Sequence, residues 1–226
     1  MEDRLEKGLA PMKVLPEPTL RRLPLYYQYL KKLEQNATLS HVSATRIGAD
    51  LSILPIQVRK DLEVTHAAGM PKRGYKIAEL IRTIEDFLGW NSTMDAFLVG
   101  VGHLGAALLG YEGFKEYGFN IVAGFDVAPD KVGMEISGKK ILHTDKLVQL
   151  SRRMGIRIGI LAVPAHAAEE VADAMVKAGM LAIWNFSPVR IHVPEGVIVQ
   201  HENLASSLVV LSKKLAVALN VRTRAR

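Results

Sequence analysis

Hydrophobic positions follow two different rules along this chain. Before about residue 88 they recur at intervals of three and four, and beyond residue 92 they gather into short apolar runs separated by helical stretches. Leu20, Leu23, Tyr27, Leu30 and Leu33 predict an amphipathic helix over 19–35, with Pro24 near its first turn, where a missing amide matters least. Ser43 is placed to cap a short helix over Ala44–Leu51. Ser52 is read as capping a second, with Pro55 in its first turn, that runs to about His66. A long helix followed by two short ones joined by a tight turn is a helix-turn-helix arrangement. The Gly- and Pro-punctuated stretch Ala68–Tyr75 then predicts a hairpin wing.

On the second short helix Val58, Leu62 and Thr65 share one face, which leaves Ile56, Gln57, Arg59, Lys60 and Glu63 on the outside or its flanks. Gln pairs bidentately with adenine and Arg with guanine in a major groove wide enough for a helix, so this outer face can read bases. Charge sharpens the reading. Between Thr19 and Lys76 ten Lys or Arg stand against four acids, a surplus of +6 that equals that of the whole chain. Arg46 on the first short helix and Lys72, Arg73, Gly74 and Tyr75 in the wing join Gln57, Arg59 and Lys60 as candidate DNA contacts. The alternative for each is an ordinary solvated face.

The second half alternates strand and helix. Strands are predicted at Asp95–Val99, Ile121–Phe125, Arg157–Val163, Leu181–Phe186 and Val197–Gln200, with a weaker one at Lys140–His143. Helices are predicted at Leu104–Leu109, Thr144–Met154 and Ala167–Ala178. Continuous apolar runs are what strands covered on both faces require. The expected fold is α/β: a winged helix-turn-helix over 1–90, a doubly wound, mostly parallel Rossmann-type sheet over 91–202, and a terminal helix within 203–226. In that helix Leu204, Leu208, Leu211, Leu215 and Ala218 form a seam that needs a partner surface, either its own sheet or a second subunit.

Gly100-Val101-Gly102-His103-Leu104-Gly105 follows the first of these strands and opens a helix, the context in which a dinucleotide fingerprint has physical meaning. The glycines permit a tight turn, close approach of a pyrophosphate and close packing of helix on strand, and the helix N-terminus favours phosphate. Asp126 ends the next strand, 21 residues beyond Gly105, where a carboxylate can accept from a ribose and oppose a 2′-phosphate, so NAD is expected rather than NADP. Another nucleotide, coenzyme A included, is the competing occupant. A small NAD-dependent oxidoreductase is the competing activity, but a sheet beginning near residue 93 leaves no room for a substrate domain. His103, His143, His166, His192 and His201 each stand without an acid at a spacing that would orient a proton relay. The absence of cysteine excludes disulfides and thiol chemistry. No metal site is expected. The charged start of the chain and the lack of a long apolar run point to a cytoplasmic protein without a membrane segment.

Several segments together resemble the Rex family of redox-sensing transcriptional repressors. They are Arg21–Leu30, Gln57–Leu62, Lys72–Tyr75, Gly100–Gly105, Tyr111–Phe114 and Asn185–Val189, and the resemblance spans essentially the whole chain. It implies a homodimer with exchanged C-terminal helices that represses double-stranded operator DNA at low NADH/NAD+ and releases it when NADH binds. It also implies cofactor contacts at Val163, Pro164, Asn185 and Phe186, and a switch that involves Arg22, Tyr111 and the position of Asn203. Two departures stand out: Val64–Gly69 where the family usually has an aromatic-Gly run, and Asn203 where it often has Asp.

Overall fold

In the computed structural model, which describes residues 16–35 and 39–224, the chain divides into two units, Met1–Asn91 and Ser92–Arg226. The charged residues at the start of the chain lie outside the described residues.

In the first unit, helix α1 (Glu17–Gln35) buries Leu23, Tyr26, Tyr27 and Leu30 against α4 (Ile77–Leu88), which presents Ile77, Leu80, Ile81 and Ile84 at helical spacing. Between them run β1 (His41–Val42), α2 (Ala44–Leu51), α3 (Pro55–Val64) and β2 (Tyr75–Lys76). The Ser43 side chain accepts from the Arg46 amide at 3.1 Å, the N-cap read from the sequence. Two local expectations are corrected. Ser52 does not open α3; at φ 56 it closes α2 in the left-handed region, and α3 starts at Pro55 behind Leu54. Pro24 is not in the first turn of α1, because that helix begins at Glu17; Pro24 lies inside it and leaves the carbonyl of Leu20 without its helical donor.

The second unit contains β3 (Met94–Val99), α5 (His103–Gly110), β4 (Phe119–Asp126), β5 (Glu135–Ile136), β6 (Lys139–His143), α6 (Leu147–Met154), β7 (Ile158–Leu161), α7 (Ala168–Lys177), β8 (Ala182–Asn185), β9 (Ile198–His201) and α8 (Leu204–Arg224). Among the described residues the strands form one sheet in the order β5-β6-β4-β3-β7-β8-β9, parallel except for β5 on β6. Phe97, Val99, Phe125 and Leu161 pack under Leu147, Ala172 and Met175 on one face, while Leu98, Ile141 and Ile160 meet Leu109 on the other. Strand order reverses between β3 and β7, and in such sheets ligands bind outside the carboxyl ends of the strands at that point. Helix α8 is different in kind: Leu204, Leu208, Leu211 and Leu215 are each more than half exposed.

Candidate functional site

A cleft of about 570 Å³ opens at the reversal point, lined by the ends of β3, β4 and β7 and the first turn of α5. It brings together Gly100, Gly102, His103, Leu104, Asp126, Val163, Pro164 and Phe186 of the sequence-derived set, and adds Val127, Lys131, Thr144 and His166. The glycine loop has the shape a dinucleotide needs. A Cβ at Gly105 would overlap the carbonyl oxygen of Gly100, so only glycine lets α5 approach β3 this closely, whereas a Cβ at Gly102 would meet nothing within 4 Å. Gly102 therefore presents open backbone to the cleft, and the residues present fit a bound pyrophosphate.

Asp126 is nearly buried at the end of β4. Its Oδ2 accepts from the Val101 amide at 2.8 Å and from Lys131 Nζ at 3.1 Å, and its Oδ1 from the Ala128 amide at 2.9 Å. Burial opposes the charge, but these bonds outweigh it and hold the carboxyl below its ordinary range. Val101 and Gly105 serve the loop from beneath, one through its amide and the other through packing. Asn185 does not line the cleft. Fully buried, its carboxamide donates to Val189 O at 2.9 Å and accepts from the Ser187 amide at 2.8 Å, which shapes the turn that presents Phe186.

Two histidines are not isolated. His192 Nδ1 lies 2.7 Å from Glu169, and His143 Nδ1 lies 2.9 Å from Asp145. Both pairs are solvent-exposed, and neither carboxylate lines the cleft. Among the described residues no cluster of three or more His, Cys, Asp or Glu could hold a metal ion.

In the first unit Arg59 and Lys60 are exposed on α3, and Arg46 is exposed on α2 at 3.7 Å from Asp50. The wing is a tight turn closed by the Met70 amide on Gly74 O at 2.7 Å, and it carries Lys72 and Arg73 at its tip. Gly74 has φ 81, and a Cβ there would overlap Val42 O, where β1 and β2 pair. Tyr75 is half-buried close enough to Arg59 and Glu63 to feel both charges. Basic residues of helix and wing thus share one exposed region. Gln57 is turned partly inward, and its Nε2 donates to Asp61 at 2.9 Å.

Sequence reasoning missed Asp61. Fully buried, it also accepts from Thr19, Tyr26 and both Arg22 Nε (2.6 Å) and Nη2 (2.9 Å), which ties α1 to α3. The signal was an acid on the core face of α3 between Val58 and Leu62. Arg22 is therefore bound within its own unit. Tyr111 and Asn203 belong to the second unit, where Asn203 Oδ1 accepts from the Ala205 amide at 3.0 Å at the start of α8. A chain of aromatic contacts runs from Tyr111 to Phe114 (4.9 Å between centroids), to Trp184 (5.6 Å) and to Phe186 (4.6 Å), reaching the cleft.

Known proteins resemble both units. A family model described as "Putative DNA-binding protein N-terminus" matches residues 14–63, and one described as "CoA binding domain" matches 91–189. A protein of Treponema denticola named redox-sensing transcriptional repressor Rex is 46% identical over 203 residues, covering 90% of this chain and 96% of that one. A protein of the same name from Bacteroides fragilis is 42% identical, covering 89% and 91%. Among solved structures, RSP in complex with β-NAD+ and operator DNA superposes with a TM-score of 0.84 at 31% identity, covering 93% of this chain and 96% of that one. RSP in complex with β-NADH gives 0.83 at 30% identity, covering 93% and 98%.

Proposed function

The chain belongs to the Rex family of redox-sensing transcriptional repressors, and from that premise we propose that it binds operator DNA when NADH is scarce relative to NAD+ and releases it when NADH binds. The observation that carries the reading is the pairing, in one chain, of a basic helix-and-wing surface with a dinucleotide cleft at a sheet's reversal point. We assign DNA binding to residues 1–90, NAD(H) binding to 91–202 and dimerisation to 203–226, the segment that contains α8.

Arg59, Lys60, Lys72, Arg73 and Arg46 supply cations for phosphates or base edges, and the wing backbone at Gly74 and Tyr75 sets their placement. Gly100, Gly102, His103 and Leu104 hold the pyrophosphate at the N-terminus of α5, while Asp126 faces the ribose and Val163, Pro164 and Phe186 line the nicotinamide side. The cofactor supplies a ring that is charged as NAD+ and neutral as NADH. The protein uses that difference without turning the cofactor over, as befits a transcription regulator; the acids near its histidines lie outside the cleft.

The exposed seam of α8 fits a second copy of the chain, giving a homodimer with exchanged helices. Among the described residues no helix is long and apolar enough to cross a membrane, and a regulator that needs DNA and NADH belongs in the cytoplasm. NADH moves the equilibrium only by binding the DNA-free arrangement better, and DNA must weaken NADH by the same factor. The test is operator affinity at fixed total cofactor with the NADH fraction varied. Affinity that falls as NADH rises supports the reading, and affinity indifferent to the ratio rejects it.

A further inference from the structure

Gln57 stands one turn before Asp61 on α3 and gives it an Nε2 proton at 2.9 Å. Thr19, Tyr26 and Arg22 fill the rest of the Asp61 carboxylate, and every partner is a donor. These bonds hold the carboxyl charged against the opposing effect of burial, so at neutral pH Asp61 is purely an acceptor. A carboxamide facing such a group has one stable orientation, nitrogen inward, because the flipped amide would set oxygen against oxygen. The second Nε2 proton and Oε1 have no hydrogen-bond partner among the described residues, and Ile56, Arg59 and Lys60 on the same helix are exposed.

We infer that Asp61 is a positioning residue for base reading: it fixes the polarity of the Gln57 carboxamide so that Gln57 selects adenine over guanine at one position of the operator. The inference rests on the DNA-binding reading above. Adenine offers an acceptor at N7 beside a donor at N6, which matches one N–H and one carbonyl oxygen. Guanine offers acceptors at both N7 and O6. An unrestrained glutamine can turn its oxygen away from guanine O6 and keep one hydrogen bond, but a restrained one meets guanine oxygen to oxygen. Fixing the amide also removes the entropy loss of ordering it on contact, so the preference is built before DNA arrives.

The experiment is selection from randomised duplexes with the full-length protein, followed by affinities for single-position variants. Asp61→Asn frees the amide, since asparagine can donate as well as accept, and Gln57→Met removes it at nearly constant length. The unmodified chain is expected to prefer adenine over guanine by about 10- to 100-fold at one position. In Asp61→Asn that preference should shrink and in Gln57→Met it should vanish, while preferences elsewhere persist. A uniform loss at every position in Asp61→Asn, an adenine preference undiminished in Asp61→Asn, or one that survives Gln57→Met, overturns the inference.

Should Asp61→Asn not fold, NMR on the unmodified protein reads the same contact. One Nε2 proton of Gln57 should exchange with solvent more slowly than those of exposed Gln149, and equally fast exchange at the two residues overturns the inference. No enriched sequence with the unmodified chain overturns the DNA-binding reading and this inference with it, whereas enrichment without the Asp61 effect overturns this inference alone.

Discussion

The backbone amide of Val101 donates to Asp126 Oδ2 across 2.8 Å, so the acid that ends β4 also braces the glycine loop that follows β3. Lys131 stands 3.1 Å from the same oxygen. Asp126→Ala therefore removes a brace, the proposed ribose acceptor and the counter-charge of Lys131 together. Loss of a charged hydrogen-bonding group of this kind is worth about 1.5–3 kcal/mol, so NADH should weaken about 10- to 100-fold. NADPH should lose less or gain, because Lys131 is freed to meet a 2′-phosphate. Lys131→Met in the unmodified background should sharpen rejection of NADPH. Calorimetric titration with both cofactors checks this; equal affinity of the unmodified protein for NADH and NADPH would reject the role given to Asp126.

Acid should loosen the N-terminal unit. Burial disfavours the Asp61 charge, but its bonds to Arg22, Tyr26, Gln57 and Thr19 hold the folded carboxyl at about 2, whereas an unfolded Asp titrates near its ordinary value of 3.8. The unfolded chain thus takes the proton first. The contribution, on the order of 2 kcal/mol, is fully present above about pH 5 and is lost as pH falls towards 2. Denaturant unfolding followed through Trp90, which packs edge-on against Tyr27 at 5.0 Å, should show the decline in the unmodified protein and a much smaller one in Asp61→Asn. Equal acid sensitivity of the two proteins would contradict it.

Periodicity carries the sheet and most helices into the sequence because burial on both faces forces continuous apolar runs, as in Ala96–Val99. The spacing of Ile77, Leu80, Ile81 and Ile84 marks α4 as well, although that helix is absent from the sequence-derived elements. Strands β1 and β2 are two residues each, too short for any period to register. Ser43 and Ser52 look alike as helix caps, and only the left-handed backbone at Ser52 tells an ending from a beginning. The glycine loop and Asp126 are legible because their roles are local. Asp61 with Arg22, and Tyr111 with Phe186, are not, because each relationship joins residues far apart in the chain whose meeting depends on the fold.

Basic residues on α3 and the wing should separate into two classes of contact. Loss of a phosphate contact weakens all sequences and flattens the salt dependence by about one unit, while loss of a bidentate base contact costs about 1–3 kcal/mol at one position. Arg59→Ala, Lys60→Ala, Lys72→Ala and Arg73→Ala should each fall into one class in salt titrations of operator binding. Gly74→Ala should weaken binding although it removes no charge, since its Cβ collides with Val42 O and shifts the wing. Unchanged operator affinity in Arg59→Ala would remove Arg59 from the readers.

Coupling between cofactor and DNA should run through the aromatic chain that joins the cleft to Tyr111. Phe186 lines the cleft and packs on Trp184, whose Nε1 donates to Glu202 at 3.2 Å just before α8, while Phe114 bridges Trp184 to exposed Tyr111. A change at Phe186 thus touches both the start of the proposed dimer helix and the tyrosine at the surface. Phe114→Leu keeps an apolar side chain but breaks the ring contacts, so NADH should still bind while its effect on operator affinity shrinks. Allosteric couplings typically amount to about 1–3 kcal/mol, a 5- to 150-fold effect, and in Phe114→Leu the ratio of operator affinities without and with NADH should approach one. Phe186→Ala should lose cofactor affinity and coupling together, and Tyr111→Leu, which removes the ring contact with Phe114, should lose coupling alone. Trp184 gives a direct readout: NADH should quench its fluorescence, and the quenching should vanish in Trp184→Phe. Full coupling retained in Phe114→Leu would place the communication elsewhere. Steady oxidation of NADH by the unmodified protein with a simple carbonyl compound would mean that the cleft performs chemistry after all.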